Sequence, residues 1–167
     1  MKISQLPLLV LALSFLVLTG MKCKKETPEV ELQLPKETQT GTNTFGCLID
    51  GKVFVPKGSF PYSGLTASIQ FDILNLRANS SSTGEGIGFG VRDLNTTGEY
   101  LANDNNNNFG YGKQGNNYDA TDGKITITKY DKINNIISGC FNFNAKDLKT
   151  GKTVSITEGR FDLKYTE

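Results

Sequence analysis

Glu158 and Asp162, in the run Ile156-Thr157-Glu158-Gly159-Arg160-Phe161-Asp162, are the carboxylates that could in principle form a glycosidase pair. A glycosidase holds two such groups about 5–9.5 Å apart. Arg160 stands between them as an ion-pair partner for either, so the cluster reads as structural and no catalytic residue is assigned. In Asn103 to Asn108, the residues Asp104, Asn106 and Asn108 are spaced like the first ligands of an EF-hand calcium loop. Gly110 comes one place too late for that loop, and Gly115 stands where a bidentate Glu belongs, so a solvated loop and no metal are expected. Gly84, Gly86, Gly88 and Gly90 occupy every second position, and Phe109-Gly110-Tyr111-Gly112 repeats the device. The spacing is not G-x-G-x-x-G and no helical pattern follows, so no nucleotide cofactor is implied. On a strand, such alternation strips one face of side chains. Either aromatic side chains of a neighbouring strand lie over the bare glycines, or the bare face is a slot for a sugar or an extended peptide. Packing is the reading the sequence favours.

Composition removes several chemistries. The chain has 167 residues, no His and no Trp, with 18 Lys+Arg against 17 Asp+Glu. Without His there is no Ser-His-Asp or Cys-His machinery, no H-E-x-x-H zinc site and no imidazole switch. From Asn43 onward, 13 basic residues balance 13 acidic ones, so nothing favours nucleic acid.

The elements that must position these residues read as strands. Asp50-Gly51 separates Thr44–Ile49 from Lys52–Val55 and predicts a type I′ hairpin. Residues 65–71, 73–79, 85–92, 99–102, 109–112, 124–130, 136–145 and 153–165 alternate as further strands. In the last, Val154 and Ile156 share a face with Phe161, Leu163 and Tyr165 only if a bulge falls at Glu158-Gly159. No apolar 3.6-residue period is long enough for a core helix. The expected class is all-β, an antiparallel β-sandwich or barrel-like meander of about 8–10 short strands.

The N-terminus points to export. Lys2 precedes an apolar run from Leu6 to Leu18, too short for a spanning helix and suited to a signal peptide. The expected organisation is a signal peptide over 1–22, a lipid-attachment Cys23 and flexible linker over 23–42, and an antiparallel β domain over 43–167. Leu18-Thr19-Gly20-Met21-Lys22-Cys23 resembles a bacterial lipoprotein junction, with Lys22 where such signals carry a small residue. An ordinary cut near Gly20 or an uncleaved anchor is the alternative. Lys24-Lys25-Glu26 resembles the short Lys-plus-acid signals that send Bacteroidota lipoproteins to the cell surface. With Cys23 lipidated, Cys47 and Cys140 remain in an oxidising compartment, where a disulfide is an expectation. Against it, Cys47 lies with Phe45 and Ile49 on an apolar side, and Cys140 with Ser138, Asn142 and Asn144 on a polar one.

Four segments together, Thr44–Val53, Gly123–Asp131, Ile137–Phe143 and Ile156–Asp162, resemble a Bacteroidota family of small β-rich lipoproteins assigned to a domain of unknown function. Cys140 departs from that pattern, where Thr is commoner. The resemblance implies a cell-envelope location and an antiparallel β fold, and it implies no activity. The resulting expectation is a lipid-anchored, non-catalytic binding or structural module at the outer membrane or cell surface, with the periplasmic face as alternative. Its partners would be the membrane, through the anchor, and a glycan, peptide or envelope protein. The competing reading is a lipocalin-like carrier with a small apolar ligand in a barrel cavity.

Overall fold

The computed structural model describes residues 33–104 and 107–167. Ten strands form one sheet: β1 (Thr44–Ile49), β2 (Lys52–Phe54), β3 (Leu65–Gln70), β4 (Ile73–Ser80), β5 (Glu85–Val91), β6 (Gly98–Leu101), β7 (Asn108–Lys113), β8 (Asn116–Asp131), β9 (Ile136–Lys146) and β10 (Thr153–Lys164). The order is β2-β1-β10-β9-β8-β7-β5-β4-β3, with β6 paired to β8 beyond the end of β7. Every strand pair is antiparallel, and no helix occurs among the described residues. The fold is all-β, as the alternation predicts. The sheet curls, and two parallel bridges draw its margins together: Lys57 with Ser80, and Ser68 with Thr166 just past β10.

Local chemistry sets the joints. Asp50 and Gly51 both take positive φ (47° and 78°), the geometry of a type I′ turn. Asn135 does the same (54°) where β9 leaves its turn, and the Asp131 carboxylate accepts the Ile133 and Asn134 amides there. The first half of β8, Asn116–Gly123, was not legible as strand because its apolar residues do not alternate. It is paired to β7 through a Gln114-Gly115 turn.

The curled sheet encloses one core. Leu74, Leu76 and Ala78 of β4, Ile87, Phe89 and Val91 of β5, and Ile125 and Ile127 of β8 all point inward and are buried. Rings fill the centre: Phe89 stands 4.9 Å from Phe141 and 5.1 Å from Phe109, and Phe45 is 5.1 Å from Phe141. The register shifts between Ile156 and Gly159, so the expected bulge is present and puts Ile156, Phe161, Leu163 and Tyr165 in the core together. The division of labour within it differs from expectation. Glu158 takes the positive φ (51°), while Gly159 is needed because the Phe141 ring lies where its Cβ would be. Across the same strand pair, the Phe161 ring packs on Gly139.

Of the linker expected over 23–42, residues 23–32 lie outside the described residues, and residues 34–42, with Asn43, are docked rather than free. They dock as a strap on the outer face of β1, β10 and β9. Leu34 and Pro35 are half-buried and lie over Gly46, and Gly41 packs on Ile136 and Lys164. The clasp is Asp162, only 1% exposed. Its carboxylate accepts hydrogen bonds from the Thr38 hydroxyl (2.6 Å), the amides of Thr40 (3.0 Å), Gly41 (2.7 Å) and Thr42 (3.2 Å), and the hydroxyls of Thr42 (2.9 Å) and Ser138 (2.8 Å). A composition poor in apolar residues hides this docking, because the contacts are polar and converge on one distant carboxylate.

Candidate functional site

The alternate glycines of β5 and β7 meet in register on the outer face. One row across four strands reads Arg77–Gly88–Gly110–Asp119, and the next reads Asn79–Gly86–Gly112–Asn117. A third joins Asn75, Gly90 and Asn108. Two strands of bare backbone therefore form a floor between walls of amide, guanidinium and carboxylate groups. At sheet spacing, Arg77 and Asp119 face each other across about 14 Å, and the floor runs about 14 Å along β5.

Among the described residues, no aromatic side chain covers this floor, which corrects the packing reading. A Cβ on Gly88 would meet only the Leu76 carbonyl oxygen, at 3.8 Å. On Gly90 it would meet Asn108 (carbonyl oxygen 3.8 Å, Cβ 3.9 Å), and on Gly110 the Tyr118 carbonyl oxygen at 3.4 Å. Only at Gly86 does a side chain, that of Asn79, crowd the position. The result is an open groove of about 890 Å³, with Tyr62 of the β2–β3 loop, 80% exposed, at its rim.

Glu85 ends the strand on its inward side, in step with Ile87 and Phe89, where it is tied to Lys113 Nζ at 3.0 Å and accepts the Tyr111 hydroxyl at 2.9 Å. Partial burial pushes the Glu85 carboxyl up, but hydrogen bonds from Lys113, Thr83 and Tyr111 outweigh it and hold the group below its ordinary value. Among the described residues, neither Arg77 nor Arg92 has an ion-pair partner, and both line the groove. The guanidiniums of Arg77 and Arg92, the Asp119 carboxylate and the amides of Asn75, Asn79, Asn108 and Asn117 can donate to and accept from a polar ligand. No base–nucleophile pair converges there.

Residues 57–162 match a domain of unknown function, DUF6252. The chain belongs to this family. No curated protein and no solved structure matches it. The DUF6252 segment contains the whole groove and the Asp162 clasp, while β1, β2 and the strap lie before it.

The other residues singled out by sequence fall away from the groove. Cys23 lies outside the described residues. Cys47 and Cys140 are both free thiols, which corrects the expected bridge. Cys47 is in the core on β1, Cys140 is on the outward side of β9, and β10 runs between them. Burial, with a contribution from Glu85, pushes the Cys47 thiol up to about 12, so it carries no thiolate at neutral pH. Burial and Glu37 also raise Cys140, against a lowering by Arg160.

Glu158 pairs with Arg160 at 3.5 Å, and Asp162 belongs to the strap, so these two carboxylates form no acid–base dyad. In the Asn-rich stretch, Asn106 lies outside the described residues, and the described Asn103 and Asn107 are held by their amides. Asn103 donates to the Thr121 carbonyl, and Asn107 bonds the Arg92 amide and the Leu101 carbonyl. Among the described residues, no three His, Cys, Asp or Glu side chains gather as a metal set. Sequence reasoning missed Asn75, Arg77 and Asn79, although their alternation in step with the glycines was the available signal.

Proposed function

We propose that this protein is an exported, lipid-anchored, non-catalytic binding module of the cell envelope that holds a glycan in the glycine-floored groove. The observation that carries the reading is the uncovered floor between polar walls. Ladder hydrogen bonding already uses the floor's backbone groups, so the groove offers side-chain amides, guanidiniums and a carboxylate, which match hydroxyl groups. A peptide would add instead at a free sheet edge. Tyr62 at the rim supplies a ring for a sugar face. The apolar start, Cys23 and the tether support export and anchoring. The carrier reading has less support, because Phe45, Phe89, Phe109, Phe141 and Phe143 fill the interior.

Affinity electrophoresis of the protein in gels containing envelope polysaccharides tests the reading. Retardation by a polysaccharide, lost in Arg77→Ala, is expected. Equal mobility in every gel refutes the glycan. Fatty-acid analogue labelling should mark the wild type and not Cys23→Ala, and protease shaving of intact cells should report surface exposure.

A further inference from the structure

One end of the sheet carries a second cleft, which shares no lining residue with the groove. It lies between the β3–β4 turn, the β8–β9 turn and the residues after β10, and has a volume of about 460 Å³. Phe71, Tyr130 and Tyr165 contribute rings, and Asp72, Lys132 and Glu167 contribute charges. Tyr130 and Tyr165 stand 6.0 Å apart with their planes at 52°.

Two observations there lack a structural purpose. Phe71 is 96% exposed and sits at φ 51° in a two-residue turn, where Asn or Gly would be relaxed and a bulky residue is an outlier. The turn holds a ring in solvent at the lip of the cleft against its backbone preference. Second, Lys132 Nζ lies over the Tyr130 ring, 5.0 Å from its centroid. The cleft thus already holds an ammonium group, supplied by its own chain.

We infer that this cleft is a binding site for an organic ammonium group, which takes the Tyr130 face from Lys132 and lies between Tyr130, Tyr165 and Phe71. Ring faces attract cations through their quadrupole. The two lining carboxylates, Asp72 and Glu167, exceed the one lining cation, so the site is electrostatically complementary to a cation. Asp131 adds little, being paired with Lys129 at 3.6 Å. The Tyr165 hydroxyl is raised above its ordinary value by burial, then by Tyr130 and Glu167, in keeping with a negative local potential.

Calorimetric titration of the full chain with choline, and with its uncharged isostere 3,3-dimethylbutan-1-ol, tests the site. Choline should bind and the alcohol should not. Lys132→Ala should tighten choline about 2- to 5-fold by vacating the ring face. Phe71→Asn, which relaxes the turn and keeps the fold, should weaken it about 2- to 5-fold. Competition by vesicles bearing choline headgroups would support a lipid source for the cation, and its absence a soluble amine. Equal binding of the alcohol, no choline binding, or unchanged affinity in Lys132→Ala overturns the inference.

Discussion

The same curled sheet has two outer faces that treat glycine differently. On β1, Gly46 lies under the strap, and a Cβ there would stand 2.5 Å from Pro35 Cδ. On β5 and β7, Gly88, Gly90 and Gly110 lie under nothing but neighbouring backbone and the edge of Asn108. Glycine weakens a strand, so its place in one usually marks a close approach by something else. On the first face that something is the chain itself. On the second no described residue is an occupant, and Arg77, Arg92 and Asp119 around the floor have no ion-pair partner among the described residues. The difference is the reason to read the second face as a site and the first as architecture.

The comparison rests on a core common to both faces, and that is where the largest effect is expected. Phe161 lies on Gly139 and contacts the Phe141 ring at 6.4 Å. Phe161→Ala should cost about 3–5 kcal/mol in chemical denaturation, while exposed Lys164→Ala should cost less than about 0.5 kcal/mol. Similar small losses from both would mean the bulge does not set the face of β10.

Removing the clasp should make the covered face resemble the bare one. Asp162→Asn puts an amide among the donors of Thr38, Thr40, Gly41 and Thr42, and should cost about 2–4 kcal/mol. Burial pushes the Asp162 carboxyl up, but the hydrogen bonds from Thr38, Gly41, Ser138 and Thr40 outweigh it and hold the group well below its ordinary value. A lowered folded value means the unfolded chain takes up the proton first as pH falls. The clasp's stabilisation is therefore complete above about pH 5 and is lost as pH drops through and below the ordinary carboxylate range. The wild type should show a steep acid limb between about pH 4 and pH 2 that Asp162→Asn flattens. Parallel acid limbs would remove Asp162 from the clasp.

Gly46→Val tests the cover from beneath. The new side chain must lift Pro35 and Leu34, at a cost of about 1–2 kcal/mol, with native-state proteolysis now cutting within residues 34–42. An unchanged cleavage pattern would mean the strap is held by Asp162 alone.

What the sequence made legible follows from the range of the interactions. Nearly every strand, the Asp50-Gly51 hairpin and the Glu158-Gly159 bulge rest on alternation and turn chemistry within a few residues. The strap was misread because its contacts join Thr38–Thr42 to Asp162, more than a hundred residues away. The groove was half legible. Gly-x-Gly-x-Gly announced a bare face, but whether an aromatic ring covered it depended on strand order, and the covering rings turned out to lie on Gly139 and Gly159 inside the core. The cysteines followed their faces, since Cys47 and Cys140 lie on opposite sides with β10 between them.

The smallest expected effect on stability is the sharpest test of the bare face. Gly88 faces outward on a central strand, and a Cβ there meets only the Leu76 carbonyl oxygen at 3.8 Å. Gly88→Thr therefore adds a side chain without a clash. It also replaces the residue least suited to a strand with a β-branched one. Stability should stay level or rise by up to about 1 kcal/mol in urea denaturation. The same side chain would stand in the middle of the floor, between Arg77 and Gly110, and should abolish polysaccharide retardation in gels. At Gly139, an added Cβ would run into the Thr126 carbonyl and the Phe161 ring, so the identical kind of change there should destabilise by about 1–3 kcal/mol. If Gly88→Thr instead destabilises the protein like Gly139→Thr, the floor glycines serve the fold and the distinction between the two faces fails. A stable Gly88→Thr that still binds polysaccharide keeps the bare face but removes the ligand from it.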